Sequence, residues 1–297
     1  MVVKVVKLGF LGLNTVNGDE TARHFNETVG LPVAEDTKSG EIYFACGNDH
    51  HALSLHRGDR AGFRHVGLQI AGEGALNDAL KTLQGDGIKG AIKSDVLPGL
   101  KSTIEISDPD GYPIYLYREM SSSTRPYQPV GVAPQKLGHL AMYVADAKKS
   151  EKFYTDILGF RWSDWILDVF VFMRCNVDHH AMNFLTAQKR GMFHVAWELD
   201  DVSRLIHACD LLARRKARIL WGPGRHGPGH NIYVYHYDPD GNVIEFFTEL
   251  DRMSQEELGY FDPRPYHRDN PQRPKVWQLG PDADIWGTPP PPEFRLA

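Results

Sequence analysis

"KLGHLAMYVAD", residues 136–146, repeats the pattern of "KLGFLGLNTVN", residues 7–17, at an offset of 129. The same offset lays "KFYTDILGFRW" (152–162) over "RHFNETVGLPV" (23–33), and "RCNVDHHAMNF" (174–184) over "ACGNDHHALSL" (45–55). It also lays "MFHVAWEL" (192–199) over "FRHVGLQI" (63–70), and "YDPDGNVIEFF" (237–247) follows "SDPDGYPIYLY" (107–117) at an offset of 130. A register held over this length marks a tandem duplication. It divides the chain into a first domain at 1–118, a linker at 119–135, a second domain at 136–250 and a tail at 251–297. The linker contains "SSSTRPYQPVGVAPQ", with the Ser, Pro and Gly expected at a boundary, and "GTPPPP" in the tail reads as irregular.

Each half is itself doubled. A strand ("KLGHLAMYV") leads to a helix ("AKKSEKFYTDIL") and then to strand-like runs ("DVFVFMRC", "HHAMNFLT"). A second strand ("FHVAWEL") leads to a second helix ("VSRLIHACDLLARR") and to strands "NIYVYHY" and "GNVIEFFTEL". Strand, helix, strands, four times over, predicts an α+β fold with mixed or antiparallel sheets. In "DPDG" the proline presets φ and the glycine permits positive φ, so Asp108, Asp110, Asp238 and Asp240 read as turn residues.

Composition bounds the function. The chain has 297 residues, 42% hydrophobic and 24% charged, which is a globular balance with room for two domains. A net charge of −5 without a basic block argues against nucleic acid as a partner. No apolar run is long enough to span a membrane. The N-terminal "MVVKVVKLGFLGLN" is interrupted by lysines and reads as a strand rather than a signal peptide. Three cysteines (Cys46, Cys175, Cys209) form no disulfide framework, and a cytoplasmic location is expected.

The duplication supplies an internal control. Residues that serve the fold recur in both halves, and residues in one half alone are candidates for chemistry. His139 replaces Phe10, Glu245 replaces Tyr115, and His194 matches His65. Two imidazoles and a carboxylate at corresponding strand positions form a facial triad that suits Fe(II) and leaves open positions; Mn(II) accepts a similar set. Alternation puts His139 with Ala141, His194 with Ala196, and Glu245 with Val243 and Phe247. A carboxylate among aromatic neighbours needs compensation, which a cation provides. "DHH" occurs in both halves (His50, His51; His179, His180), so it is first a feature of the fold.

"GRHGPGHNIYVYHYDPDGNVIE" (224–245) resembles the signature of type I extradiol ring-cleavage dioxygenases of the vicinal oxygen chelate superfamily. His226, Val234, Tyr235, Asp238, Pro239, Gly241 and Glu245 fill it. The resemblance implies two tandem vicinal-oxygen-chelate domains, each of two βαβββ modules forming a partly closed barrel. It implies Fe(II), with Mn(II) as the alternative, held by His139, His194 and Glu245, and O2 as co-substrate. It also implies Tyr235 on the substrate oxygen, His226 against substrate or Tyr235, and an acid–base histidine fourteen or fifteen residues before the second ligand. His180 is preferred there, with His179 structural. The expected partners are a small-molecule catechol and further copies of the chain. Trp221 stands where relatives acting on carboxylated catechols carry Arg, which favours an uncharged alkyl- or aryl-catechol. Arg218 and Arg225 keep an acidic substrate open. Trp197, Phe247 and Trp221 are the candidate pocket aromatics. The tail, with Tyr260, Phe261, Trp277 and Trp286, is expected to reach or cover the site. His236 receives no role, and His230, in a glycine turn, is expected at the surface. The alternatives are a homoprotocatechuate-type or hydroquinone-type dioxygenase, a glyoxalase-like isomerase and a metal-free binding protein.

Overall fold

The computed structural model describes residues 2–73, 76–123, 130–278 and 284–294. Its first half contributes eight strands: β1 (Val5–Thr15), β2 (Val33–Asp36), β3 (Ile42–Phe44), β4 (Leu53–Arg57), β5 (Gly62–Ile70), β6 (Ala91–Leu97), β7 (Leu100–Ser107) and β8 (Pro113–Tyr117). The second contributes β9 (Lys136–Val144), β10 (Arg161–Ile166), β11 (Phe170–Arg174), β12 (Met182–Thr186), β13 (Gly191–Glu198), β14 (Ile219–Arg225), β15 (Ile232–Tyr237) and β16 (Val243–Thr248). The helices are α1 (Gly18–Arg23), which runs on as a π-turn over His24–Val29, α2 (Asn77–Gly85), α3 (Ala147–Asp156) and α4 (Val202–Arg214). Asp146 and Asp201 cap α3 and α4 by accepting backbone N–H bonds.

The two sheets share one plan. In the first the order is β2-β3-β4-β1-β5-β8-β7-β6; in the second it is β14-β15-β16-β13-β9-β12-β11-β10, extended at the β10 edge by a tail strand, β17 (Lys275–Trp277). Within each module the first and last strands pair in parallel, and the modules meet through one antiparallel pair, β1 with β5 or β9 with β13. This is the α+β mixed-sheet, βαβββ architecture expected from the sequence. The short edge-side strands β10 and β14, whose sequences alternate poorly, complete the two modules of the second half. Strand β12 starts at Met182, so His179 and His180 precede it rather than lying within it. Gly138 explains one close approach: a Cβ there would stand 2.3 Å from the Phe247 ring.

The DPDG turns do more than reverse the chain. Asp108 and Asp238 each accept two backbone N–H bonds within their own turn. Their partners reach across to the other half. Asp240 accepts from Val16 N (3.1 Å), Asn17 N (3.0 Å), Thr21 Oγ1 (2.7 Å) and Thr15 Oγ1. Asp110 accepts from Ala145 N at 2.8 Å and pairs with Arg190. Ala145 is the duplicate of Val16, so the contacts are reciprocal. A buried imidazole pair, His24 and His236, bridges the halves with Nε2 atoms 3.1 Å apart. His236, set aside in the sequence reading, is thus an interface residue.

Candidate metal centre

The site lies on the inner face of the second sheet. Register puts it there: Ala196 of β13 faces His139 on β9 and Glu245 on β16, and His194 faces Ala141. The small alanines leave the space into which the three longer side chains converge. His139 Nε2 lies 3.1 Å from His194 Nε2 and 3.0 Å from Glu245 Oε2, and His194 Nε2 lies 3.2 Å from the same oxygen. All three residues are buried. Two ligands about 2.1 Å from one ion and at right angles are about 3.0 Å apart, whereas tetrahedral ligands at that bond length are about 3.4 Å apart. The three atoms therefore fit one face of an octahedral ion. A fully buried carboxylate also needs opposite charge nearby. Burial pushes the Glu245 carboxyl up, but the His139 and His194 imidazoles outweigh it and hold it well below the usual carboxylate range. Burial lowers His194, partly opposed by Glu245.

Asn231 completes the carboxylate. Its Nδ2 donates to Glu245 Oε1 at 3.0 Å, which leaves Oε2 to the two imidazoles. The sequence reading missed it, although the duplicate position holds Lys101. At the corresponding place in the first half, Phe10, His65 and Tyr115 fill the space instead, with Phe10 4.9 Å from His51 between ring centroids.

A cavity of about 340 Å³ opens in front of the triad. His180, Tyr235 and His226 line it, as does Trp221. Tyr235 Oη and His226 Nε2 are 2.9 Å apart. Burial, reinforced by Glu245, raises the Tyr235 phenol well above its usual range, so it is a neutral donor. His226 stacks on Tyr233 at 3.7 Å, and Tyr233 donates to Asp284 of the tail at 2.6 Å. The His180 ring packs edge-on against His139 at 4.3 Å, and burial drives its pKa well below the ordinary value. Ile166, Phe170, Phe172, Phe193 and Phe294 supply apolar wall, and no Lys or Arg is among the described lining residues. Phe294 and Pro290 bring the tail into that wall.

Three expectations need correction. Trp197 does not reach the cavity: alternation turns it to the opposite face from His194 and Ala196, where it packs in the main core. Phe247 lies on the correct face but packs against the His139 ring at 5.0 Å, so it supports a ligand rather than lining the pocket. His230 is 1% exposed, not at the surface, and its Nδ1 lies 2.7 Å from Asp251 Oδ2, because the tail residues His267 and Trp277 cover that turn. Arg225 is turned away from the cavity, donating to His230 O and Glu249 and lying over the Tyr266 ring. Arg218 does not line it. Of the tail aromatics, Phe261 packs on His179 at 4.8 Å and Trp277 donates to Asp164; neither they nor Tyr260 and Trp286 line the cavity.

Residues 136–246, which span the whole triad, match the model of the Glyoxalase/Bleomycin resistance protein/Dioxygenase superfamily. This segment therefore carries a domain of that superfamily. It is 24% identical over 272 residues to a metapyrocatechase from Pseudomonas sp. strain CF600, covering 85% of this chain and 89% of that one. It is 26% identical over 274 residues to a manganese-dependent 2,3-dihydroxybiphenyl 1,2-dioxygenase from Geobacillus genomosp. 3, covering 84% and 86%. Among solved structures, a Mn(II)-bound glyoxalase from Novosphingobium aromaticivorans superposes with a TM-score of 0.84 at 25% identity, over 98% of this chain and 94% of that one. No helix among the described residues is long and apolar enough to cross a membrane.

Proposed function

We propose that this chain is an extradiol dioxygenase. It would open the ring of an uncharged, apolar-substituted catechol with O2, using Fe(II), or alternatively Mn(II), held by His139, His194 and Glu245. The observation that carries this reading is one cavity wall that joins a two-imidazole, one-carboxylate face to two proton-handling groups, His180 and the Tyr235–His226 pair. The similarity to a metapyrocatechase and a dihydroxybiphenyl dioxygenase supports the reaction class. The apolar walls, and the absence of a cation among the described lining residues, support the substrate class.

A divalent ion held by His139, His194 and Glu245 would lower the proton affinity of the diol hydroxyls and supply a common centre for diol and O2. The chain's residues do the rest. The charge of the ion and Glu245 sum to about +1, which suits a monoanionic diol. His180, on the cavity wall, takes the proton that the diol releases and returns it later in turnover. Tyr235, neutral and hydrogen-bonded to His226, donates to the oxygen that gains charge. Phe172, Phe193 and Phe294 seat the ring and its substituent and exclude water. The test is anaerobic loading with Fe(II) or Mn(II), addition of alkyl- and aryl-catechols, and admission of air. O2 uptake with a yellow ring-opened product is expected; no ring opening with any catechol or hydroquinone refutes the reading.

The second reading is an isomerase, favoured by the likeness to the Mn(II)-bound glyoxalase. It leaves Tyr235 and His226 without a task, and it consumes no O2, so the same experiment separates the two.

A further inference from the structure

Behind His180 runs a buried chain of polar groups that the reaction as described does not use. His180 Nδ1 lies 2.9 Å from His179 Nδ1, and His179 Nε2 lies 3.1 Å from Asp164 Oδ2. Asp164 is fully buried, as is His179, and His180 is 2% exposed. The carboxylate accepts two more bonds, from Trp277 Nε1 at 2.7 Å and from Lys275 N at 2.9 Å. Both donors belong to the tail strand β17, which pairs with β10 at this point.

We infer that Asp164 and His179 are positioning residues that fix the tautomer of His180. An ionised carboxylate only accepts, so His179 must present Nε2–H to it. Neutral His179 then has a lone pair at Nδ1, and His180 must present Nδ1–H to that lone pair. His180 is left with its lone pair at Nε2, the form required of a base. The tail strand closes the arrangement by saturating Asp164 and excluding water. The first half keeps a worn copy: His50 Nδ1 and His51 Nδ1 are 3.2 Å apart, and Glu35, the duplicate of Asp164, lies 3.4 Å from His50 Nε2. There the carboxylate is 45% exposed and His51 faces Phe10 instead of a ligand set. The device is thus inherited with the fold, and only the second half seals it and aims it at a cavity.

The role of the tautomer in turnover rests on the function proposed above, but the tautomer itself does not. Full-length protein carrying 15N-histidine and diamagnetic Zn(II) would be examined by long-range 1H–15N correlation, with signals assigned by their loss in H179N and H180F. In the unmodified chain we expect His179 as the Nε2–H form and His180 as the Nδ1–H form. In D164N neither orientation of the amide satisfies His179, Trp277 Nε1 and Lys275 N together, so the single pair of forms should give way to a mixture. D164N should also lower kcat by about 100-fold, within the usual range for proton-transfer catalysis, with the anaerobic diol Kd within threefold. Finding His180 as Nε2–H in the unmodified chain overturns the inference. So does a D164N variant that turns over normally. Should no diol be turned over by the unmodified enzyme, the function proposed above fails, and the tautomer spectra decide the relay alone.

Discussion

Replacing Asn231 with Leu tests whether the triad is built to hold a metal or only to satisfy itself. Leucine keeps the approximate volume and cannot donate. In the native site the Glu245 carboxylate is 0% exposed, its Oε1 is held by Asn231 at 3.0 Å, and its Oε2 is shared by two imidazoles. A hydrogen bond to a charged group contributes about 1.5–3 kcal/mol. Loaded and metal-free forms both lose that bond, so only the part that aims Oε2 at the ion counts, roughly half. At about 1.4 kcal/mol per factor of ten, the expected loss is about 3–12-fold in metal affinity. Outer partners of metal ligands generally supply about 10–100-fold, so about tenfold is the expected rise in Kd. Mn(II) titration followed by the EPR signal of free ion reads this without any substrate. His139→Phe, which copies Phe10, sets the floor and should show no saturable binding. A folded Asn231→Leu protein that binds Mn(II) within threefold of the unmodified chain would refute the reasoning.

Three further outcomes follow from the geometry. Burial lowers His24 to about 4 and His236 well below its ordinary value, so both are neutral in the fold and protonate more readily when unfolded. Stability is therefore flat above pH 7 and falls between about pH 6.5 and 4; His24 alone accounts for about 2 kcal/mol by pH 5. Urea midpoints at pH 7.5 and 5 measure this, and His24→Phe should flatten the slope. Asp240→Ala removes four hydrogen bonds that join the halves and should cost about 2–4 kcal/mol; a melting temperature unchanged from the unmodified chain would count against the reciprocal docking. Phe294→Ala opens the tail side of the cavity. It should lower kcat/KM about tenfold for an aryl-catechol and much less for catechol itself, since burial of one phenyl ring contributes about 1.5–3 kcal/mol at most.

The triad was legible because the chain carries its own comparison. His139 against Phe10 and Glu245 against Tyr115 separate chemistry from fold without any second protein. Alternation then placed the ligands on one face, and the same rule, applied to Trp197, would have turned it into the core. The "DHH" string was legible as an inherited feature, but its carboxylate partner was not. Asp164 lies fifteen residues before His179 and meets it only because β10 and β11 bring the two together.

Sequence by itself determined the duplication, the βαβββ order, the turns and the identity of the three converging side chains. These rest on local pattern: period-two alternation, turn chemistry and the repeat register. Tertiary structure decided which polar groups pair. Asn231 finds Glu245, His24 finds His236 across the halves, and the tail, without a counterpart in the repeat, supplies Asp284 to Tyr233 and Phe294 to the cavity wall. Such contacts depend on strand register and on how two halves dock. Burial then enforces them, because a polar group removed from water is stable only when a partner arrives from elsewhere in the chain.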